Sequence, residues 1–209
     1  MGSRTRIKIC GMTDEQEAWH AVAAGVDALG FIFVQESPRY IRPEEARAII
    51  GTLPPFVDAV GVFRNDDPAR IQEIAQYCGL TMLQLHGDES PEYCRQFPLR
   101  VIKAFQVRPG FSGEDLQPYE RVVAGFLLDT YHKELAGGTG ESFDWSVVAS
   151  LQAQRPVILA GGIGPENVGQ AIAAARPFAV DVNSAVEQAP GRKDPERVTR
   201  LMAAVAACC

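Results

Sequence analysis

Two side chains that can exchange protons stand directly after apolar segments of the sequence. Cys10 ends the run Ile7-Lys8-Ile9-Cys10, and Asp129 ends Phe126-Leu127-Leu128-Asp129. A thiolate can accept a proton, and a partly buried carboxylic acid whose pKa is raised can deliver one. Each residue also has a purely structural interpretation, since free cysteines are commonly small buried apolar residues and aspartates commonly cap turns. If the two lie together, they supply the base and the acid of one reaction.

The neighbours of Cys10 favour its ionised form. Gly11 follows it, and a helix predicted over residues 13–24 begins close by, so the positive end of the helix dipole lies near the sulfur. Lys8 shares a strand face with Cys10 and adds positive charge, although pairing with a carboxylate explains an interior lysine equally well. We therefore expect a positive potential at the thiol.

Arg39 and His86 are candidates for contacts with a substrate. The Pro38 turn exposes Arg39, whose guanidinium fork suits a substrate carboxylate, although most loop arginines form surface ion pairs. His86 ends another apolar run and can donate or accept a hydrogen bond, unless its partners lie within the core. Only two further histidines occur, His20 and His132, and neither stands at ligand spacing, so no metal site is predicted.

Glycine-rich segments provide backbone amides for an anion. Gly161-Gly162-Ile163-Gly164 and Asn183-Ser184-Ala185 follow the last two predicted strands, where amides and a short helix can hold a phosphate dianion. A glycine pair alone signifies only a tight turn. A third segment, Gly137-Gly138-Thr139-Gly140, lies in the long loop 130–143, which either closes over a substrate or is simply mobile.

Apolar, β-branched segments alternate with segments of helical period. The predicted strands are 6–10, 27–34, 57–63, 80–86, 99–105, 122–129, 156–160 and 178–182. The predicted helices are 13–24, 43–52, 68–78, 90–96, 144–154, 165–175 and 195–207, with a weak candidate at 113–119. Thr13 and Gln16 have the spacing of a capping box, and Pro165 is placed to begin a helix.

The alternation predicts a single-domain α/β protein. Eight strand and helix units at intervals of about 26 residues favour a closed (β/α)8 TIM barrel over residues 1–209, with helix five weak or replaced by a loop and frayed tails at 1–5 and 207–209. The alternative, a doubly wound open sheet, lacks its diagnostic glycine motif, because Cys10-Gly11-Met12-Thr13 follows the first strand. In a barrel, Cys10, His86, Asp129 and Asp181 all stand at the carboxyl ends of the strands, and they converge if their side chains point inward.

Composition excludes several classes of protein. With 26 acidic and 20 basic residues the net charge is −6, which argues against nucleic-acid and anionic-membrane partners. The longest apolar stretch, 28–34, is far short of the roughly 20 residues that a membrane span needs. The first residues contain no apolar signal core, and the five cysteines lack C-x-x-C spacing, so a cytoplasmic protein with reduced thiols is expected.

The motifs together resemble the phosphoribosylanthranilate isomerase family of tryptophan biosynthesis. They occur in the family's order over residues 7 to about 194. The motifs are Lys8-Ile9-Cys10-Gly11, Ser37-Pro38-Arg39-Tyr40-Ile41, Val60-Gly61-Val62-Phe63, Gln84-Leu85-His86-Gly87, Leu127-Leu128-Asp129, Gly138-Thr139-Gly140 with Phe143-Asp144-Trp145, Ala160-Gly161-Gly162-Ile163 and Asp181-Val182-Asn183-Ser184.

The resemblance implies an Amadori rearrangement of a phosphoribosyl-anthranilate aminoaldose to an aminoketose, without metal or organic cofactor. It makes Asp129 the acid that opens the furanose ring and Cys10 the base that removes the C2 proton. Arg39 is implied to contact the anthranilate carboxylate, and His86 and Asp181 to line the sugar site. The partner is then a small phosphosugar-anthranilate substrate, and the protein a monomer or homodimer.

One position departs from the family pattern. The family usually has Ser-Gly-Val-Glu where this chain has Ser184-Ala185-Val186-Glu187. A methyl group there can clash or exclude a positive φ, although amide donation does not depend on it. We expect a loop relaxed into an ordinary backbone conformation.

Two other functions remain open at the level of sequence. Another phosphosugar barrel enzyme would share the phosphate loops, but such enzymes use carboxylates or lysine where Cys10 ends the first strand. A catalytically silent phosphosugar-binding barrel is the second alternative, and the presence of both Cys10 and Asp129 argues against it.

Overall fold

Eight parallel strands form a closed barrel in chain order. The computed structural model describes residues 4–129 and 145–208. The barrel strands are β1 (Arg6–Ile9), β2 (Ala28–Ile32), β3 (Asp58–Phe63), β4 (Met82–Leu85), β5 (Arg100–Gln106), β6 (Gly125–Asp129), β7 (Val157–Ala160) and β8 (Ala179–Val182). Because β1 pairs with both β2 and β8, the sheet has no free edge. The predicted (β/α)8 barrel is confirmed.

Helices cover the outside of the barrel. They are α1 (Glu15–Ala24), α2 (Pro43–Ile50), α3 (Pro68–Cys78), α4 (Pro91–Cys94), α5 (Gly113–Leu116), α6 (Ser146–Ser150), α7 (Val168–Ala175) and α8 (Pro195–Ala206). Prolines begin α2, α3, α4 and α8, where the missing N–H costs no hydrogen bond. The fifth helix is a single turn followed by a 3-10 turn at Gln117–Tyr119, as its weak pattern indicated.

Two predicted helix starts were wrong. The N-cap of α1 is Asp14, whose carboxylate accepts from the amides of Gln16 and Glu17, while the Thr13 hydroxyl instead donates to the carbonyl of Gly191. Helix α7 starts at Val168, three residues after Pro165. Thr13 is thus used in a contact with the loop at Gly191, and Pro165 lies in a turn that is closed by hydrogen bonds from the amides of Asn167 and Val168 to the carbonyl of Gly164.

The sequence pattern did not predict a short hairpin after β8. A 3-10 turn at Ser184–Val186 leads into β9 (Glu187–Ala189), which pairs antiparallel with β10 (Arg192–Lys193). The hairpin lies at the carboxyl end of the barrel, next to the loop that carries Arg39.

The core has two layers, as expected for a barrel. Apolar residues such as Val60, Leu127 and Ile158 fill the interior, and a larger cluster packs between the strands and the helices. Lys8 and Asp181 are buried among the interior residues, as neighbours in the register of β1 and β8. The interior therefore becomes polar toward the carboxyl ends of the strands. Within the described residues, no helix is long and apolar enough to span a membrane.

Candidate active site

A cavity of about 310 Å³ opens at the carboxyl ends of the strands. Most of the predicted site residues line it, and they come from five strands and the loops that follow them. They are Cys10, His86, Asp129, Gly161, Gly162, Asp181, Asn183 and Ser184. A larger cavity of about 1050 Å³ adjoins it and shares His86 and Asp129. The structure thus brings the proposed acid and base to one place.

Cys10 is buried at the end of β1, with 5% of its surface exposed. Burial raises the pKa of its thiol, and nearby Lys8 lowers that pKa by a smaller amount. The positive potential expected from the sequence is present, but it does not overcome desolvation. A methyl group on Gly30 of β2 would lie 2.7 Å from the Cys10 sulfur and 3.1 Å from the Lys8 nitrogen, so only glycine leaves room for both groups.

Lys8 forms a buried ion pair with Asp181. Its Nζ atom lies 2.9 Å from each carboxylate oxygen. Burial alone would lower the pKa of Lys8, but the charges of Asp181 and Cys10 outweigh it and raise the pKa. Pairing with a carboxylate, the structural alternative for Lys8, is therefore correct, and it places Asp181 against the catalytic thiol candidate.

His86 lies beside Asp129 and Asp181 at the cavity wall. Burial lowers the pKa of its imidazole, and the two carboxylates offset only part of that effect. The ring is consequently neutral near pH 7. Its Nδ1 atom lies 3.1 Å from Nε2 of Gln84, which occupies the preceding inward position of β4.

Arg39 is held by a buried carboxylate. Its Nε and Nη2 atoms donate to Glu187 of the hairpin, at 2.9 Å and 2.6 Å. Glu187 also accepts from Nζ of Lys193 at 2.7 Å, and Lys193 donates to Oδ1 of Asn183 at 2.9 Å. Burial disfavours the charge of Glu187, but the hydrogen bonds from Arg39 and Lys193 outweigh it and lower the pKa of the carboxyl. Arg39 therefore forms an ion pair with a buried carboxylate, and not the surface ion pair of the structural alternative.

The absence of a side chain at Gly11 allows Arg39 and Asn183 to approach Cys10 closely. The φ of Gly11 is +75°, and a methyl group there would lie 2.9 Å from Cδ of Arg39 and 3.0 Å from Oδ1 of Asn183. A side chain at this position would therefore strain the backbone and displace both neighbours. Arg39 does not line the smaller cavity, but its Cδ atom lies close to Gly11, the residue that follows Cys10.

The loop after β7 is shaped by two glycines and one asparagine. Gly161 and Gly162 have φ values of +92° and +65°, which favour glycine. Oδ1 of Asn167 accepts from the amide of Gly164 at 2.8 Å, and its Nδ2 donates to the carbonyl of Gly162 at 2.9 Å. A methyl group on Gly162 would meet no described atom within 4 Å, so its backbone borders open space.

The comparisons with known proteins agree with one another. The model of the N-(5'-phosphoribosyl)anthranilate isomerase family matches residues 7–204. The chain belongs to this family. The enzyme of that name from Citrifermentans bemidjiense is 51% identical over 199 residues, which cover 95% of this chain and 96% of the relative.

Solved structures of N-(5'-phosphoribosyl)anthranilate isomerases have the same fold. The Thermotoga maritima enzyme superposes with a TM-score of 0.87 at 42% identity, covering 97% of this chain and 99% of that one. A structure of a family member in complex with reduced 1-(o-carboxyphenylamino)-1-deoxyribulose 5-phosphate has a TM-score of 0.85 at 40% identity, with coverage of 97% and 99%.

Ala185 lies in the 3-10 turn Ser184–Val186. It is the position at which this N-(5'-phosphoribosyl)anthranilate isomerase family member departs from the family pattern. It does not have a positive φ, so the relaxed conformation expected from the sequence is correct. A methyl group on Gly164 would lie 2.7 Å from the Ala185 Cβ atom. The alanine therefore packs against the backbone of the loop after β7, and it does not line the cavity.

Four site residues were not predicted from sequence. Glu187 and Lys193 bond to each other within the hairpin, and Asn167 bonds to the backbone of its own loop. No local sequence pattern marks these three residues as part of the site. Gln84 shares a strand face with His86, which was a usable signal. The glycine-rich segment 137–140 and the loop 130–143 lie outside the described residues. Within the described part of the chain, no group of three or more histidine, cysteine or carboxylate side chains could bind a metal ion.

Proposed function

We propose that this chain catalyses the Amadori rearrangement of N-(5'-phosphoribosyl)anthranilate to 1-(2-carboxyphenylamino)-1-deoxyribulose 5-phosphate in tryptophan biosynthesis. The observation that carries the proposal is that Cys10 and Asp129 line one cavity together with the loops that follow β7 and β8. Family membership over residues 7–204 supports the same reaction.

Asp129 acts first, as the general acid. It protonates the ring oxygen of the furanose, and the C1–O bond breaks as the nitrogen lone pair forms the C1=N bond of an iminium ion. Cys10 then removes the C2 proton, and the electrons of the C–H bond form C1=C2 while the nitrogen becomes neutral. Return of a proton to C1 and loss of the C2 hydroxyl proton give the ketone, so the overall reaction is an isomerisation.

Lys8 favours formation of the Cys10 thiolate. Because burial raises the pKa of Cys10, the thiol is the main form at rest and the reactive thiolate is a minor one. Moving one proton from Cys10 to the carboxylate of Asp129 forms the reactive pair without changing the total charge. The ammonium of Lys8 favours the thiolate throughout, and the positive iminium nitrogen favours it once Asp129 has delivered its proton.

The remaining residues hold the substrate. The phosphate binds to the backbone amides of Gly161, Gly162 and the segment 183–185, because amides at such loops provide donors without a lysine. Arg39 binds the anthranilate carboxylate: its contacts to Glu187 use Nε and Nη2, which leaves the Nη1 edge of the fork for a second carboxylate. His86 and Asp181 line the sugar site.

The other expectations belong to the same proposal. The chain acts as one domain over 1–209, in the cytoplasm, as a monomer or homodimer. Its substrate is a small molecule, and an acidic chain with a net charge of −6 is not suited to nucleic acid. A Thermotoga maritima neighbour is described as a dimeric enzyme.

The experiment generates the substrate in situ from anthranilate and phosphoribosyl pyrophosphate and follows the loss of anthranilate-type fluorescence. The wild-type protein is expected to accelerate the loss in proportion to its concentration. A preparation that is folded and shows no acceleration over the spontaneous reaction would refute the proposed activity.

A further inference from the structure

Another buried ion pair lies just outside the active-site cavity. Lys103 of β5 and Glu89, which follows β4, are 1% and 4% exposed, and Nζ of Lys103 lies 3.1 Å from Oε2 of Glu89. Neither residue lines either of the two cavities. Ile102 and Ala104 point into the barrel interior, so Lys103 points outward from β5. The reaction proposed above does not use either side chain.

Lys103 holds the backbone on both sides of His86. Its Nζ atom donates to the carbonyl of Gly87 at 2.7 Å and lies 3.4 Å from the carbonyl of Leu85. It also donates to the carbonyl of Ala104 at 3.0 Å, and the carboxylate of the ion pair is its fourth acceptor. Because an ammonium has three protons, each of them has an acceptor here.

Glu89 holds the same loop through its amides. The carboxylate accepts from the amide of Gly87 and from the amide of Asn65, both at 2.8 Å. Asn65 follows β3, and its Oδ1 atom accepts from the amide of Asp88 at 2.7 Å. A methyl group on Gly87 would collide with this Oδ1 atom, so only glycine leaves room for the contact. The ion pair therefore ties the loop after β4 to the loop after β3.

Stability alone does not explain why two charges are buried at this place. Desolvating them is costly, and well-packed apolar side chains of similar volume often stabilise a protein as well or better. The charges provide hydrogen bonds to carbonyls and an amide of residues 85–87, which apolar side chains cannot form. His86 lies in the middle of this segment, and it lines both cavities.

We infer that Lys103 and Glu89 are positioning residues: their ion pair fixes the backbone of residues 85–89 and thereby holds the His86 imidazole at its place in the active-site cavity. The inference rests on the proposed function, because that function assigns His86 to the sugar site. Both residues are buried outside the cavities, so they do not touch the substrate. Their effect on binding must therefore pass through His86.

The test removes both charges together in Lys103→Met/Glu89→Gln, so that no unpaired charge stays buried. Methionine cannot donate to the carbonyls, and glutamine has one oxygen for two amides. Val101→Ala is the matched control, because Val101 is buried on the same face of β5 as Lys103 and lines neither cavity. Glu89→Asp keeps the charge on a shorter side chain, and it carries the test if the double variant does not fold.

Each variant is made in the wild-type chain and in His86→Ala. Calorimetry measures the Kd of reduced 1-(o-carboxyphenylamino)-1-deoxyribulose 5-phosphate and of inorganic phosphate, and melting temperatures report stability. NMR of protein with 15N-labelled histidine rings follows the signals of His86, which the His86→Ala spectrum identifies. His20, which is exposed on α1, is the internal reference.

Lys103→Met/Glu89→Gln is expected to weaken binding of the reduced analogue by roughly 3- to 10-fold, as for one hydrogen bond lost through misplacement. The same change should have no effect in His86→Ala, where the imidazole is already absent. The ring signals of His86 should move or broaden, and those of His20 should not. The Kd of phosphate should stay within error of wild type. Val101→Ala should lower the melting temperature without changing either Kd, and Glu89→Asp should show a weaker form of the double variant's pattern.

The inference is overturned if the double variant binds the analogue as tightly as wild type. It is also overturned if the loss of affinity is the same in His86→Ala, because the pair would then act on the fold as a whole. Wild-type protein that neither binds the analogue nor turns over the substrate would refute the proposed function, and the inference with it. Wild-type protein that does both, beside an unaffected double variant, refutes the inference alone.

Discussion

The Lys8 ammonium lies 2.9 Å from both oxygens of the Asp181 carboxylate, and the Cys10 thiol lies against the same ammonium. Lys8 and Asp181 act on the thiol in opposite directions, because the ammonium lowers the pKa of Cys10 and the carboxylate raises it. The ion pair therefore determines how much thiolate a buried cysteine can supply.

Removing Lys8 and removing Asp181, each in a separate variant, should move the pKa of Cys10 in opposite directions. Lys8→Met deletes the positive charge and leaves Asp181 unpaired, so the pKa of the thiol should rise. Asp181→Asn deletes the negative charge and frees Lys8, so the pKa should fall. The measurement is the pH dependence of Cys10 alkylation by iodoacetamide, read from the peptide by mass spectrometry.

Cys78 and Cys94 are the internal references for this experiment. Burial raises the pKa of each thiol to about 11, and neither lies in the cavity. Their alkylation profiles should be the same in both variants. If the profile of Cys10 moved in the same direction in both variants, the electrostatic role assigned to the pair would be wrong.

Asp129→Asn should lower kcat by roughly 10²- to 10⁴-fold, because the amide keeps the shape of the carboxylic acid but cannot deliver a proton to the ring oxygen. The reduced, already open sugar analogue should bind the variant within a few-fold of wild type. Parallel loss of analogue affinity and activity would make Asp129 a binding residue.

Glu187 should make the stability of the protein depend on pH at the acidic end. Its pKa is lowered in the folded state, so its contribution is fully present above the unfolded value of about 4.3 and is lost as the pH falls through the folded value. Glu187→Gln should reduce the free energy of unfolding by about 3 kcal/mol at pH 7, because buried Lys193 loses its carboxylate. Urea unfolding at pH 7 and pH 3.5 should show the two proteins converging, and parallel values at both pH values would contradict the assignment.

Much of the fold could be predicted because its signals are local. Strand and helix alternate in stretches of a few residues, and the prolines at Pro43, Pro68 and Pro195 mark helix starts without knowledge of the rest of the chain. The short polar segments of the hairpin give no such signal. They are ordered because Glu187 pairs with Arg39, which is 148 positions away.

The composition of the cavity was also predictable, because residues at the carboxyl ends of parallel strands must converge. The ionisation state of Cys10 could not be predicted from the sequence. Lys8 and Asp181 are 173 positions apart, and they meet only when the barrel closes between β1 and β8. Closure also buries the thiol, and that desolvation outweighs the favourable charge that the sequence suggested.

Ala185→Gly should destabilise the protein by about 0.4–1 kcal/mol. The residue occupies a 3-10 turn without a positive φ, so glycine gains nothing in the folded state and adds conformational freedom to the unfolded chain. Thermal melts of both proteins measure the effect, and inhibition by inorganic phosphate measures the loop's affinity. A glycine variant that melted higher and bound phosphate more tightly would show that alanine strains the loop.

The proton transfer assigned to Cys10 is tested most directly by the single-turnover conversion of N-(5'-phosphoribosyl)anthranilate that carries deuterium at C2. Wild-type protein should convert the deuterated substrate more slowly than the ordinary one. Cys10→Ala should convert either substrate at least about 10²-fold more slowly while still binding the reduced analogue, and Cys78→Ala, which removes a buried thiol outside the cavity, should match wild type. Conversion by Cys10→Ala at the wild-type rate would contradict the account.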